Sequence, residues 1–153
     1  MKSNVLRIIS VVAPIVIVAT LGSLFVNLGM DWFSSLTKPS QWIPNWVIPL
    51  VWTAIYITFA FVLLRWSSKD TIPTSTKILL IVNGVLNVLW CLIFFTLNLT
   101  FIGNIVIVLN LIAGIALWIN IFLKVKTYSY WLAIYPIWLS IATTLNLALW
   151  ILN

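Results

Sequence analysis

The sequence predicts an all-α fold, an integral membrane bundle of five transmembrane helices, and three observations support this. Of 153 residues, 63% are hydrophobic and 7% are charged, and the mean hydropathy is +1.19, whereas a soluble domain carries about 25% charged residues. The apolar residues form five long runs. The basic residues lie at the ends of these runs. The length suits one domain over residues 1–153.

Each apolar run is long enough to cross a bilayer. A helix rises 1.5 Å per residue, so about 20 residues span a hydrocarbon core of roughly 30 Å. We predict helices over residues 5–28, 46–66, 76–97, 101–123 and 130–152. The first run is too long for the apolar core of a signal peptide, and no small-residue cleavage site ends it. Pro14 is expected to kink this helix.

Charge placement predicts the orientation of the bundle. With five spans, only Lys38 falls on the side of the first loop, beside Asp31. The other side carries Lys2, Arg7, Arg65, Lys69, Lys77, Lys124 and Lys126. Because cytoplasmic loops are enriched in lysine and arginine, we expect a cytoplasmic N-terminus and an extracytoplasmic C-terminus.

Several classes of function are excluded or disfavoured. The net charge of +6 is scattered along the chain, whereas nucleic-acid binding requires a basic patch in water. The single cysteine, Cys91, and the absence of histidine leave no disulfide and no metal site of the usual ligands. Asp31 and Asp70 are the only acids, on opposite sides of the membrane, so no catalytic carboxylate pair forms. No charged residue lies at mid-membrane depth, which disfavours an ion channel or proton-driven transporter.

Residues 31–56 concentrate tryptophan and proline more densely than any other segment. The tryptophans are Trp32, Trp42, Trp46 and Trp52, and the prolines are Pro39, Pro44 and Pro49. Tryptophan favours the membrane interface, and proline fixes extended or turn conformations. Two interpretations remain open at this point: an interfacial belt that seats the protein in lipid, or a lid over a pocket among the helices.

Aromatic and amide side chains recur on single faces of the predicted helices. The second helix places Trp52, Tyr56 and Phe59 on one face. The third does the same with Asn83, Asn87, Trp90 and Phe94, and the fifth with Trp138, Ala142, Leu145 and Leu149. Buried amides need partners in lipid, so we expect Asn83, Asn87, Asn104, Asn110 and Asn146 to bond across helices or to a ligand. The aromatic faces favour a pocket for a flat apolar ligand, and plain core packing is the alternative.

Four motif blocks cover nearly the whole chain. The first contains Trp32, Leu36, Lys38 and Pro39, and the second Pro44, Trp46, Val47, Trp52, Thr53 and Tyr56. The third contains Asn87, Trp90, Phe94 and Phe95, and the fourth contains Tyr135, Pro136, Trp138, Ala142, Leu145, Asn146, Trp150 and Asn153. In these blocks and their order the chain resembles the TspO/MBR family, the tryptophan-rich sensory proteins that include the mitochondrial translocator protein (peripheral benzodiazepine receptor).

The resemblance implies a homodimeric five-helix bundle in a bacterial cell membrane, which requires no cofactor. It implies binding of porphyrins such as protoporphyrin IX, and of isoquinoline- or benzodiazepine-type drugs, in an apolar pocket beneath the first extracytoplasmic loop. By motif position the pocket would include Ser23, Val26, Trp32, Ile48, Pro49, Trp52, Asn87, Trp90, Trp138, Ala142 and Leu145, and the inward faces add Tyr56 and Phe94.

The resemblance also implies light-dependent degradation of protoporphyrin, with Trp32 and Trp138 as the candidate catalytic residues. A sensor without turnover and a slow photo-oxidative enzyme therefore both stay open, and a tetrapyrrole transporter is a further alternative. The stretch KPSQWIPNW departs from the family's usual K-P-x-W-x-P-P. Since no histidine can ligate haem iron, we expect a metal-free porphyrin as ligand.

Overall fold

Five helices are long and apolar enough to cross a membrane, as predicted. They cover Ser3–Leu28, Val47–Ser67, Thr74–Thr96, Thr100–Lys124 and Lys126–Leu152. The computed structural model describes residues 2–40 and 42–153; Met1, and Gln41 of the KPSQWIPNW stretch, lie outside the described residues. The all-helical class and the five spans of the sequence prediction are therefore confirmed.

The individual helices are numbered in chain order. They are α1 (Lys2–Leu28), α2 (Met30–Ser35), α3 (Val47–Ser67), α4 (Thr74–Cys91), α5 (Thr100–Lys124), α6 (Lys126–Ser129) and α7 (Ile134–Leu152). A π-helical turn, Leu92–Thr96, extends α4, and a 3₁₀ turn, Tyr130–Ala133, joins α6 to α7. Pro14 lies inside α1 and does not interrupt it. The short helix α2 was not predicted, because six residues are too few to show a helical period in sequence.

The link between the π turn and α5 is only three residues long. The Leu97 N–H donates to the Leu92 carbonyl at 2.9 Å, which closes the π turn. Asn98 follows with φ 58°, a left-handed conformation that asparagine tolerates better than most side chains. The chain thereby reverses within three residues, and α4 and α5 pack as antiparallel neighbours, as predicted.

The helices form a closed ring in the order α1, α4, α5, α7 and α3. α5 packs between α4 and α7, and α1 packs between α3 and α4. At Gly114, an added Cβ would come within 2.7 Å of a Leu139 methyl group, so the absence of a side chain lets α5 and α7 approach closely.

The two ends of the ring differ in charge. Arg7, Arg65, Lys69, Lys77, Lys124 and Lys126 lie at one end, which we call the basic end. The opposite end carries Asp31, Lys38 and the chain's C-terminus, and we call it the lid end. The structure thus shows the segregation of charge, and the assignment of the basic end to the cytoplasm stays a prediction.

Candidate aromatic site beneath the lid

The segment from Gly29 to Trp46, which we call the lid, folds its own aromatic rings against the bundle. Phe33 is buried, with its ring centroid 5.1 Å from Phe95 and 6.0 Å from Trp42. The Lys38 Nζ lies 4.9 Å from the Phe33 ring centroid and donates to the Phe33 carbonyl at 3.2 Å. Trp46, by contrast, is 67% exposed. The geometry therefore favours the lid interpretation for most of the segment, and the interfacial belt for Trp46.

A glycine lets the lid reach the end of α4. Gly29 stands between α1 and α2 with φ −102°, a backbone conformation open to any residue. A Cβ added there would overlap the carbonyl group of Phe95. The Thr96 hydroxyl donates to the Phe25 carbonyl at 2.8 Å just beside this approach. Glycine is thus required for steric reasons, because only a residue without a Cβ lets the start of the lid lie directly on the π turn.

The last residue of the chain fastens the other part of the lid. The Thr37 N–H donates to the Asn153 Oδ1 at 2.8 Å, and the Asn153 Nδ2 donates to the Thr37 carbonyl at 3.0 Å. The same Nδ2 also donates to the Leu149 carbonyl at 2.8 Å. Sequence reasoning gave Asn153 no role beyond its place in a motif block, because a pairing across 116 positions leaves no local signal.

From the lid into the bundle, five aromatic rings form a continuous row, which we call the aromatic chain. Its members in order are Trp32, Phe94, Trp90, Trp52 and Tyr56. Successive ring centroids are 5.6, 6.3, 6.3 and 5.8 Å apart. The Trp52 ring also lies 6.3 Å from Tyr135 on α7. Rings at such distances attract one another through their quadrupoles as well as by burial of area, so the row connects the lid, α4, α3 and α7.

The structure brings most of the predicted ligand-binding residues together. Val26, Trp32, Trp52, Trp90, Phe94 and Ala142 belong to one apolar cluster. Ile48 and Trp138 belong to the adjoining cluster, and Trp52 packs against both. Tyr56 stacks on Trp52, and Asn87 is buried on the α4 face that carries Trp90. The two tryptophans proposed for photochemistry, Trp32 and Trp138, thus pack in different clusters.

Three of the predicted residues lie apart from these clusters. Ser23 is exposed on α1 in a shallow groove of about 460 Å³ that it shares with Ala19, Thr20, Leu24 and Asn27. Pro49 is exposed at the start of α3, and Leu145 is half-buried on α7 outside both clusters.

Four residues that the sequence analysis did not place in the site join the cluster around Trp90: Phe25, Phe33, Cys91 and Phe95. Of these four residues, Phe95 could have been predicted, because it stands next to Phe94 in the third motif block.

One polar atom inside the site lacks a partner. Trp138 is 6% exposed, and its buried Nε1 has no hydrogen-bond partner among the described residues. An orphaned buried donor costs about 1–3 kcal/mol, and indole nitrogen can only donate. A bound molecule with an acceptor atom would relieve this cost. The arrangement therefore offers stacking surfaces together with one directed N–H group.

Four of the five intramembrane asparagines bond across helices, as predicted. The Tyr135 hydroxyl donates to the Asn83 Oδ1 at 2.7 Å, and the Asn83 Nδ2 donates to the Asn110 Oδ1 at 2.8 Å. On the lid side, the Trp90 Nε1 donates to Asn146, which in turn donates to Asn104. These bonds join α4, α5 and α7 around the aromatic chain and so fix the wall of the site.

Comparison with known proteins agrees with this architecture. A family model described as the TspO/MBR family matches residues 10–151. The protein CrtK of Rhodobacter capsulatus is 33% identical over 132 residues, which cover 80% of this chain and 78% of that protein. The tryptophan-rich protein TspO of Archaeoglobus fulgidus is 28% identical over 152 residues, covering 98% and 99%. The protein of the same name from Chlorobaculum tepidum is 29% identical over 166 residues, covering 100% and 99%. With its five apolar spans and a family match over nearly its full length, the chain belongs to the TspO/MBR family.

Proposed function

We propose that this membrane protein is a sensor that binds a flat aromatic ligand of the porphyrin class along the aromatic chain, where the lid meets the bundle. The observation that carries the proposal is the aromatic chain itself, five rings in continuous contact that lead from the lid into the bundle, together with a lid held at Gly29 and at Thr37. A large planar π-system gains both burial and offset stacking from such a row. Isoquinoline- and benzodiazepine-type compounds share the flat apolar form and would compete for the same place.

Two polar groups of the site suit a porphyrin with carboxylate side chains. The buried Trp138 N–H has no partner among the described residues and would donate to an acceptor on the ligand once the lid has opened. At the lid end, the Lys38 Nζ is held over the Phe33 and Trp42 rings, 4.9 and 6.0 Å from their centroids. A carboxylate leaving the aromatic chain toward water would meet this ammonium group. Charge-assisted bonds are about twice as strong as neutral ones, so Lys38 would orient the ligand.

Entry of the ligand requires the lid to separate from the bundle. The rings of Phe33, Phe94 and Phe95 pack against one another at centroid distances of 5.0 and 5.1 Å. A macrocycle cannot pass between rings so closely packed, so it must pass where the lid opens. The hydrogen bonds of Asn153 and the contact at Gly29 then set how readily the lid opens and closes. A lid whose closure depends on the occupant is a simple way to convert binding into a signal.

Titration with protoporphyrin IX in detergent tests the proposal. We expect saturable quenching of tryptophan fluorescence. Because Trp52 packs on both apolar clusters, we expect Trp52→Leu to weaken porphyrin binding about tenfold. That factor corresponds to a loss of about 1.4 kcal/mol of binding free energy. The matched control is Trp131→Leu, since Trp131 is 69% exposed near the basic end. Quenching that rises linearly with porphyrin, or equal weakening in both variants, would disprove the pocket.

The lid clamp gives a kinetic prediction. Asn153→Ala removes both hydrogen bonds to Thr37, each worth about 0.5–1.5 kcal/mol. Loss of about 1–3 kcal/mol in total is expected to accelerate porphyrin dissociation, followed by stopped-flow displacement, about 5- to 140-fold. Asn27→Ala, at an exposed asparagine on α1, serves as control and should leave the rate unchanged. An unaltered dissociation rate in Asn153→Ala would mean that the lid does not control exit.

A further inference from the structure

The basic end carries a collar of cations to which each of the five spans contributes. The members are Arg7 on α1, Arg65 on α3, Lys77 on α4, Lys124 on α5, Lys126 at the start of the last span, and Lys69 in the link between α3 and α4. The one aspartate at this end is Asp70, whose Oδ1 accepts the Thr71 N–H at 2.7 Å. One carboxylate cannot neutralise six cations, so the collar keeps a large excess of positive charge.

Two of these cations lie at one corner of the collar, where α4 begins and α5 ends. The buried Thr76 hydroxyl donates to the Asn120 Oδ1 at 2.7 Å, and the Lys124 Nζ donates to the same oxygen at 3.4 Å. The Lys124 ammonium group therefore lies beside the first turn of α4, which also carries Lys77. A lysine ammonium group has three hydrogens, so the bond to Asn120 leaves two of those on Lys124 for another acceptor.

The helix faces below the collar show that its cations stand at the lipid-facing rim of the bundle. Ile81 and Val85 follow Lys77 at intervals of four residues, and both are exposed. Phe61, four residues before Arg65, is exposed as well. Since residues four apart lie on one face of a helix, each of these two cations ends an apolar stripe that faces hydrocarbon. Long basic side chains at such a place extend to the headgroup layer.

Aromatic side chains mark the same level of the bundle as the membrane interface. Tyr130 and Trp131, in the 3₁₀ turn before α7, are both exposed, and such residues concentrate at the headgroup level. The Tyr130 ring centroid lies 5.2 Å from that of Phe122, and the Lys126 Nζ lies 5.8 Å from the Phe122 centroid. The aromatic residues and the collar therefore share one layer, and the phosphate groups of lipids are the anions that fill this layer.

The excess of positive charge selects among lipid headgroups. Every glycerophospholipid carries a phosphate, but in a zwitterionic lipid a choline or ethanolamine cation accompanies it. The collar repels that second cation, and this repulsion offsets the attraction for the phosphate. An anionic headgroup such as phosphatidylglycerol has no such cation. Each lysine or arginine near an anionic headgroup layer strengthens binding about fivefold, so the collar favours anionic lipids.

We propose that the corner between the start of α4 and the end of α5 binds one anionic glycerophospholipid through Lys77 and Lys124. The lipid phosphate lies between the two ammonium groups, and an acyl chain runs along the exposed stripe of Ile81 and Val85. The other cations of the collar add to the attraction without touching this lipid. The site is at the opposite end of the bundle from the lid, so the proposal does not depend on porphyrin binding.

Native mass spectrometry of the delipidated full-length protein tests the lipid preference. The protein is titrated in detergent with dioleoyl phosphatidylglycerol or with dioleoyl phosphatidylcholine, which have the same acyl chains, and the bound fraction gives the Kd of the first lipid. We expect phosphatidylglycerol to bind about five- to thirtyfold more tightly, because two lysines contribute about fivefold each. Equal binding of the two lipids would overturn the proposal.

Variants at the corner locate the site. Lys124→Gln should lower the preference for phosphatidylglycerol about fivefold, and Lys77→Gln with Lys124→Gln should lower it further. The pair Lys77→Arg and Lys124→Arg keeps both charges and should keep the preference. Lys38→Gln makes the same chemical change at the lid end and should also keep it. No porphyrin is present in these titrations, so the proposed role of Lys38 does not enter.

Three results would contradict a lipid site at this corner. One is a loss of preference in Lys38→Gln as large as that in Lys124→Gln, and another is its loss in the arginine pair. The third is displacement of phosphatidylglycerol by glycerol 3-phosphate at an equal concentration, which would show a site for a soluble phosphate. Far-UV circular dichroism verifies the folding of each variant.

Discussion

Replacing Gly29 with alanine is expected to destabilise the protein and loosen the lid together. The added Cβ would overlap the Phe95 carbonyl, which belongs to the backbone of the π turn and cannot rotate away like a side chain. Overpacking a well-packed contact typically costs 1–3 kcal/mol, and we expect about the upper end of that range here. Thermal unfolding in detergent measures the loss. Porphyrin dissociation should accelerate as well, because the lid begins at this contact.

The matched control for Gly29 lies on the adjacent helix. At Gly22, an added Cβ would meet the Cys91 sulfur at 3.5 Å, an ordinary contact. Alanine inside a helix is favoured over glycine by about 1 kcal/mol, so Gly22→Ala should leave the melting temperature unchanged or raise it. If the Gly29→Ala and Gly22→Ala proteins unfold alike, the close approach of the lid to the π turn is incorrect.

Replacing Asn83 with leucine is expected to cause the second large loss of stability. Asn83 is 5% exposed and joins Tyr135 on α7 to Asn110 on α5. Removing the Asn83 amide takes away the acceptor of the Tyr135 hydroxyl and the donor to the Asn110 Oδ1. Tyr135 is 2% exposed and Asn110 is 0% exposed. Such groups cost about 1–3 kcal/mol in proteins, and bonds between membrane helices average about 0.6 kcal/mol with a maximum near 1.7. We therefore expect a loss of about 1–3 kcal/mol in reversible unfolding.

A double-mutant cycle distinguishes a hydrogen-bonded network from mere packing at Asn83. In a protein that already carries Tyr135→Phe, Asn83→Leu should lower the free energy of unfolding by less than it does in the wild type. The reason is that the Tyr135 hydroxyl, which Asn83→Leu would otherwise leave without a partner, is absent. Asn27→Leu makes the same chemical change at an exposed position on α1, and its unfolding free energy should stay at the wild-type value. Strict additivity of the Tyr135 and Asn83 effects would argue that the two side chains are not coupled.

The inward faces of the spans could be predicted because their signals are local. Trp52 and Tyr56 are one helical turn apart, and their rings stack in the structure as expected. Asn83 and Asn110 were predicted to bond across helices and do so, because an amide in an apolar run has few other ways to satisfy its hydrogens. Such inferences need only the period of the helix and the cost of unpaired polar groups.

The details of the site depended on partners far apart in sequence. Asn153 fastens Thr37 from 116 positions away, and Gly29 is required only because Phe95 happens to lie against it. Ser23, which the motif comparison placed in the pocket, lies on the outer face of α1. A one-residue helical rotation is about 100°, so a motif position alone does not specify which way a side chain faces within the assembled ring.

By itself, the sequence determined that this protein is an all-helical membrane bundle with segregated charge and an aromatic interior. Those properties follow from composition and periodicity, since an apolar run of about 20 residues can satisfy its backbone in lipid only as a helix. The tertiary structure alone decided that the tryptophan- and proline-rich segment packs as a lid on the π turn, and that hydrogen bonds join Trp90 to Asn146 and Asn104. Both depend on the order and rotation of helices around the ring, which are set by close contacts between distant residues.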